Sequence, residues 1–214
     1  MIDAVVDNDI LFKGAAFGLL EELIAVMPAE PKQVGTLGAS RYVISAKLVS
    51  HLGGGATQAE AYFKAVSKKM IVLEPNPAET EVAAEIELAA QLAQLELDTG
   101  ESQLCAIVIA RDLPLLATGD KRAIVAIEQL LDRPPISLKL IAKLLCLEQL
   151  FQRLVAAEYG GRLRAAVCQH PQIDRTLSIC FGCAGQQSDK SDWMDGLASY
   201  IRDLRALAAR VLVP

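Results

Sequence analysis

Aromatic side chains make up only 5% of this sequence, with one tryptophan, and there are two histidines. Apolar residues nevertheless reach 52%, mostly Ala, Leu, Ile and Val. That balance fits a helix-rich or α/β core and argues against a disordered chain. Long apolar runs are also missing. The cleanest, such as Leu104 to Ala110, fall far short of the roughly 18 residues a membrane span requires. The opening Met1-Ile2-Asp3 lacks the basic-then-apolar layout of a signal peptide. There is no basic surplus: the net charge is −5, which argues against tight non-specific binding of nucleic acid. A transient substrate drawn to a local basic patch around a metal site is not excluded by that total. The five cysteines are odd in number and unevenly placed. They suit a reducing cytoplasm better than a disulfide framework. The expectation is a cytoplasmic protein with no membrane contact.

At 214 residues the chain is long enough for one medium domain with an extension. Apolar runs at Ala4-Val5-Val6, Gln33 to Leu37, Met70 to Leu73, Leu113 to Ala117 and near Leu144 read as strands. Between them lie helical patterns. One runs over Ile10 to Met27, stopped by Pro28 and Pro31, and another over Ser40 to His51 up to Gly53-Gly54-Gly55. A third starts at Thr57 with Glu60 as a capping box, and Glu79 to Leu97 is rich in Ala, Leu and Glu. Further helices are expected through Ala110, over Lys121 to Leu131 and over Glu148 to Glu158. Alternating strands and helices predict an α/β fold with a central, mostly parallel sheet covered on both faces. The division expected is 1–155 as the main domain and 156–214 as a helical extension. Its last helix, Asp189 to Val211, carries Trp193, Leu197, Ile201, Leu204, Ala208 and Val211 on one face. That face needs a partner, either the domain itself or a second subunit.

Three acidic positions carry the chemistry: Asp7, Glu101 with Asp98 nearby, and Asp120. Asp7 and Asp120 each follow a strand and open a helix, and parallel strand ends on one edge bring distant residues together. Clustered carboxylates are what a hard cation such as Mg²⁺ requires, and such a site activates water and neutralises a phosphodiester. Each of these acids is also well placed as a helix cap, Asp98 with Glu101 forming a capping-box pattern. The case for a site rests on all of them together.

Val5-Val6-Asp7-Asn8-Asp9-Ile10-Leu11, then Leu97-Asp98-Thr99-Gly100-Glu101-Ser102, then Leu116-Ala117-Thr118-Gly119-Asp120-Lys121-Arg122-Ala123 resemble the three ordered blocks of PIN-domain nucleases. The resemblance covers about residues 1–150. It implies a three-layer α/β/α fold whose acidic pocket binds Mg²⁺ or Mn²⁺ and hydrolyses RNA. On that resemblance Asp7, Glu101 and Asp120 are the catalytic carboxylates and metal ligands. Asp9 and Asp98 are further metal ligands, Thr118 supports the site, and Lys121 and Arg122 hold substrate phosphates. One departure stands out. The family usually adds an acid on the helix after the second strand, and Val34 to Val49 contains none; the nearest, Glu60, has a capping role.

Two other readings compete. The first is a catalytically silent PIN-like scaffold that binds a regulatory protein or nucleic acid, with the final helix as a further route to a homo-oligomer. The second is a haloacid-dehalogenase-type phosphatase, in which Asp7 attacks phosphorus and Asp9 serves as acid/base. Ile124 stands where that family needs a second Asp, and the Asp98–Glu101 block goes unexplained. In the extension Cys168, His170, Cys180 and Cys183 form C-x-H…C-x-x-C, a candidate structural zinc set, although buried thiols are the commoner outcome.

Overall fold

Five short apolar segments pair as one all-parallel sheet: β1 (Ala4–Val6), β2 (Val34–Leu37), β3 (Ile71–Leu73), β4 (Leu116–Thr118) and β5 (Leu144–Cys146). Their order is β3-β2-β1-β4-β5. This computed structural model describes residues 2–28, 33–185 and 188–214; Pro31, expected to stop the first helix, lies outside them. Every residue of β1, β2, β4 and β5 is buried, with no polar face. Parallel strands covered on both sides read as continuous apolar runs. The edge strand β3 differs, its Val72 facing solvent.

Successive residues of a strand point to opposite faces, and β1 divides the core accordingly. Ala4 and Val6 pack with α1 (Asn8–Ala16), α2 (Leu20–Ala25), α3 (Ser40–Leu52), α4 (Ala56–Ser67) and α8 (Leu147–Ala156). Val5 packs with α5 (Pro77–Leu92), α6 (Thr99–Ala110) and α7 (Lys121–Leu130). The result is the expected three-layer α/β/α architecture.

Several local expectations change. The first helical pattern splits at Gly18, whose φ of +64° is the left-handed conformation that ends α1. Leu19 N–H then bonds to Gly14 carbonyl, so the apolar period continues across a break that it hides. The Thr57–Glu60 capping box does not form. Instead α4 starts at Ala56 from the 3-10 turn Gly53–Gly55 with no side-chain cap, and Glu60 pairs with Lys64. A real capping box opens α5, between Asn76 and Glu79 with Pro77 at the first position; the helix ends at Leu92, short of Leu97.

The extension adds α9 (Gly160–Gln169), α10 (Arg175–Cys180) and α11 (Lys190–Leu207). The apolar face of α11 is covered by this same chain. Trp193 and Leu197 belong to one core layer, Ile201 and Leu204 to the other, so α11 closes the β5 side of the sheet. The face offered to a second subunit is therefore occupied. The helix also stops at Leu207, because the chain turns extended at Ala208. Leu212 then bridges Leu144 in parallel, with Leu144 N–H donating to Val211 carbonyl and Val213 N–H to Leu144 carbonyl. The β-branched Val211 and Val213 belong to this pairing rather than to a helix.

The cysteine expectation also needs correction. Cys168 and Cys183 form a disulfide across a separation of 15 residues, tying α9 to the segment after α10. Sulfurs bonded to each other cannot serve as zinc thiolates, so the C-x-H…C-x-x-C set is not a zinc site in this arrangement. Cys105, Cys146 and Cys180 are free and buried. Among the described residues no helix is long and apolar enough to cross a membrane.

Candidate active site

From β1 the chain moves to β2 and β3 on one side, then returns to β4 and β5 on the other. The crevice at the carboxyl ends of β1 and β4 is the topological switch point, where open α/β sheets bind ligands. Asp7 and Asp120 stand on its two sides.

Asp7 follows β1 and caps α1, its carboxylate accepting from Asn8 and Asp9 N–H. Its remaining lone pairs meet Thr118, whose hydroxyl donates to Oδ2 at 3.1 Å. The same Thr118 oxygen accepts from Asp120 N–H at 3.2 Å, so one buried hydroxyl spans the crevice and fixes both acids. Burial, reinforced by the charge of Asp9, pushes the Asp7 carboxyl up to about 6.

Glu101 comes from α6, on the face of the sheet that α5 and α7 share. The capping box with Asp98 forms: Asp98 N–H donates to Glu101 Oε2 at 2.9 Å, and Glu101 N–H to Asp98 Oδ1 at 2.8 Å. Gly100 keeps this turn clear of the capping carboxylate, since a Cβ there would lie 3.3 Å from Asp98 Oδ1; the Asn8 amide nitrogen, at 3.9 Å, would be in ordinary contact. Glu101 is 8% exposed. Burial first, and then the charges of Asp98, Asp7 and Asp120, push its carboxyl up to about 8. Four acids thus share one field. Asp98, Glu101 and Asp120 line a cleft of about 340 Å³ with Leu95, Glu96, Leu97 and Arg122.

Asp120 behaves differently. It caps α7 through Arg122 and Ala123 N–H, and the Arg122 guanidinium grips both its carboxylate oxygens. Burial would raise it, but the Arg122 contacts outweigh burial and hold it below the usual carboxylate range. Arg122 also reaches Glu96, bridging the cleft mouth.

No family model, curated protein or solved structure matches this chain. Its chemistry therefore has to be read from the geometry. The donors are all carboxylate oxygens, the kind a hard divalent cation takes. Their arrangement does not close around one. Among the described residues no group of three acidic, His or Cys side chains is set to hold a metal. Arg122 holds both oxygens of Asp120, so a cation shared by Asp7, Glu101 and Asp120 would compete with its guanidinium.

The other expected site residues are engaged elsewhere. Asp9 lies against Gly119, where a Cβ would stand 2.2 Å from its Oδ2, and pairs with Lys13. That pairing works against the acid/base role a phosphatase would give it. Lys121 points away from the cleft. Its ammonium lies 2.6 Å from buried Glu148, 3.1 Å from Thr176 Oγ1 and 4.8 Å from the Tyr200 ring centre.

Sequence reasoning missed Glu148, a further acid at this sheet edge, placed on the first turn of α8 after β5. It also missed Asp174, which holds Lys13 at 2.8 Å from the start of α10. Burial would lower the Lys13 pKa, but Asp9 and Asp174 raise it above its ordinary value. The strand-end position of Glu148 was a readable signal; Asp174 carried none.

Proposed function

We propose that this chain is a metal-dependent ribonuclease of PIN-like design, hydrolysing RNA phosphodiester bonds at the β1/β4 crevice. One observation carries the reading: Asp7 and Glu101 are buried carboxyls at one crevice, both pushed toward neutrality, and no ion pair reaches either among the described residues. A protein that buries uncompensated acids invites a cation, and perturbed carboxyls in a cleft mark functional sites. Asp7, Glu101 and Asp120 would hold Mg²⁺ or Mn²⁺, and Thr118 orients Asp7. A bound divalent ion would supply an activated water and neutralise charge on the phosphodiester. Released from Asp120, Arg122 is placed to hold a substrate phosphate.

The test is cleavage of a labelled single-stranded RNA with Mn²⁺, with EDTA, and by Asp7→Asn. Mn²⁺-dependent cleavage lost in the variant supports the reading; cleavage that survives Asp7→Asn overturns it.

The grip of Arg122 on Asp120 favours a second reading, a silent scaffold in which the guanidinium permanently replaces the metal. A Mn²⁺ titration by calorimetry separates the two, since the scaffold takes up no ion at the cleft.

A further inference from the structure

Residues 33–59 contain no Asp or Glu, although the chain has 26 acids in 214 residues, about one in eight. The segment includes β2 and α3, where the family resemblance leads one to expect a carboxylate. It carries Arg41 and Lys47 instead. We infer that the first turns of α3 form a single-stranded RNA track beside the crevice, with Tyr42 as stacking platform and Arg41 and Lys47 as phosphate contacts. This deepens the ribonuclease reading and rests on it for the identity of the strand.

Placement comes from the sheet. β2 is the neighbour of β1 and runs parallel to it, with Val5 opposite Gly35. Neighbouring strands lie about 4.8 Å apart. The helix that follows β2 therefore starts one strand over from Asp7, on the same carboxyl edge. Arg41 and Tyr42 occupy its first turn, within roughly one helix diameter, ~10 Å, of the crevice.

The side chains suit a polyanion that carries flat bases. Tyr42 is 66% exposed, and the Arg41 guanidinium lies over its ring at 4.6 Å. A guanidinium on one face leaves the other open, and base–aromatic stacking beside an arginine is how single strands are held without sequence readout. Lys47 follows two turns along, its ammonium 5.9 Å from the centre of the Phe12 ring. Neither Arg41 nor Lys47 has an ion pair among the described residues, unlike Lys13, Lys64, Lys69, Lys121 and Arg122. Two carboxylates border the helix: Glu74, which lies against Gly38 in the turn before α3, and Glu60 of α4, which accepts from Ser45 of α3 and is paired with Lys64. An exposed ring and two free cations on an acid-free helix fit a phosphate backbone better than an acidic protein, which would leave Tyr42 without a flat partner.

The experiment is fluorescence anisotropy with a fluorescein-labelled twelve-nucleotide oligouridylate in EDTA, so that binding is read without cleavage. The variants are Tyr42→Ala, Arg41→Ala and Lys47→Ala, with circular dichroism confirming their fold. Tyr42→Ala is expected to weaken binding about 5-fold or more. Arg41→Ala and Lys47→Ala should each lower the slope of log affinity against log salt by about 0.7. Wild-type affinity in Tyr42→Ala with unchanged salt slopes in the other two overturns the track, as does absence of oligouridylate binding by the wild type. The two proposals fail separately. RNA cleaved by a protein whose α3 variants bind normally sinks the track alone. RNA bound through α3 but never cleaved with Mn²⁺ sinks the nuclease alone.

Discussion

Replacing Glu101 by Gln tests the electrostatics of the crevice without any assumption about substrate. The amide keeps the shape of the side chain and an oxygen to accept Asp98 N–H, and removes only the charge. In the fold the Glu101 carboxyl is raised from 4.5 to about 8. Between those values the native state holds a proton that the unfolded chain has released, so stability falls as pH rises through the window. Below it both states are protonated and nothing is lost; above it the full cost is present. At about 1.4 kcal/mol per tenfold change, the gap sets a ceiling of roughly 5 kcal/mol. Relaxation around a buried charge brings the realised effect nearer ~2 kcal/mol. In a chain of this size that corresponds to about 4–8 °C in Tm. Asp7, raised to about 6, adds a smaller contribution of the same sign at lower pH. Thermal melts in EDTA from pH 5 to 9 should therefore show the wild type losing stability, with Glu101→Gln markedly flatter and more stable at pH 9. Melting curves that run parallel across this range would refute the argument. Mn²⁺ at pH 8 should raise the Tm of the wild type and leave that of Glu101→Gln nearly unchanged.

Three further outcomes follow from the structure. Arg122→Ala should cost under about 1 kcal/mol in urea denaturation, because the pair is largely solvated, while tightening Mn²⁺ binding by calorimetry. Equal or weaker Mn²⁺ affinity would show that Arg122 does not compete for Asp120. Glu148→Ala leaves the Lys121 ammonium without its buried partner and should cost about 3 kcal/mol in the same assay; a loss under 1 kcal/mol would mean Lys121 simply swings out to solvent. Reducing Cys168–Cys183 opens a loop of 15 residues and should lower stability by roughly 3 kcal/mol, read as a Tm drop on adding dithiothreitol. An unchanged Tm would place no stabilising role on that bond.

What the sequence made legible was local. Asp7 and Asp120 declare themselves because a cap follows an apolar run and precedes a helical one, and Asp98 by its capping-box spacing to Glu101, all within a few residues. The α/β class followed from the same alternation. The break at Gly18 stayed hidden because α1 and α2 bury the same face, so their apolar periods join. Thr57 and Glu60 had the spacing of a capping box, but a run of three glycines delivered the chain to Ala56 already helical. Arg122 engaging Asp120 and Glu96, Lys121 reaching Glu148, and Asp174 holding Lys13 depend on which elements become neighbours. Spacing along the chain holds no record of them. The disulfide was misjudged for the same reason: cysteine count informs on compartment only until two sulfurs are brought together by α9 and α10.

The pairing of Leu212 with Leu144 has a consequence for how the molecule is made. A chain emerging from synthesis can assemble β1 to β5 and α8 well before residues 211–213 exist. Until then β5 presents unpaired backbone groups, and Gln149 and Arg205 lack the Val213 carbonyl that both hold in the finished fold. An open strand edge of that kind is a template for pairing with another nascent chain. The extension thus serves as a closing clasp, and folding intermediates halted before residue 211 should be the aggregation-prone species.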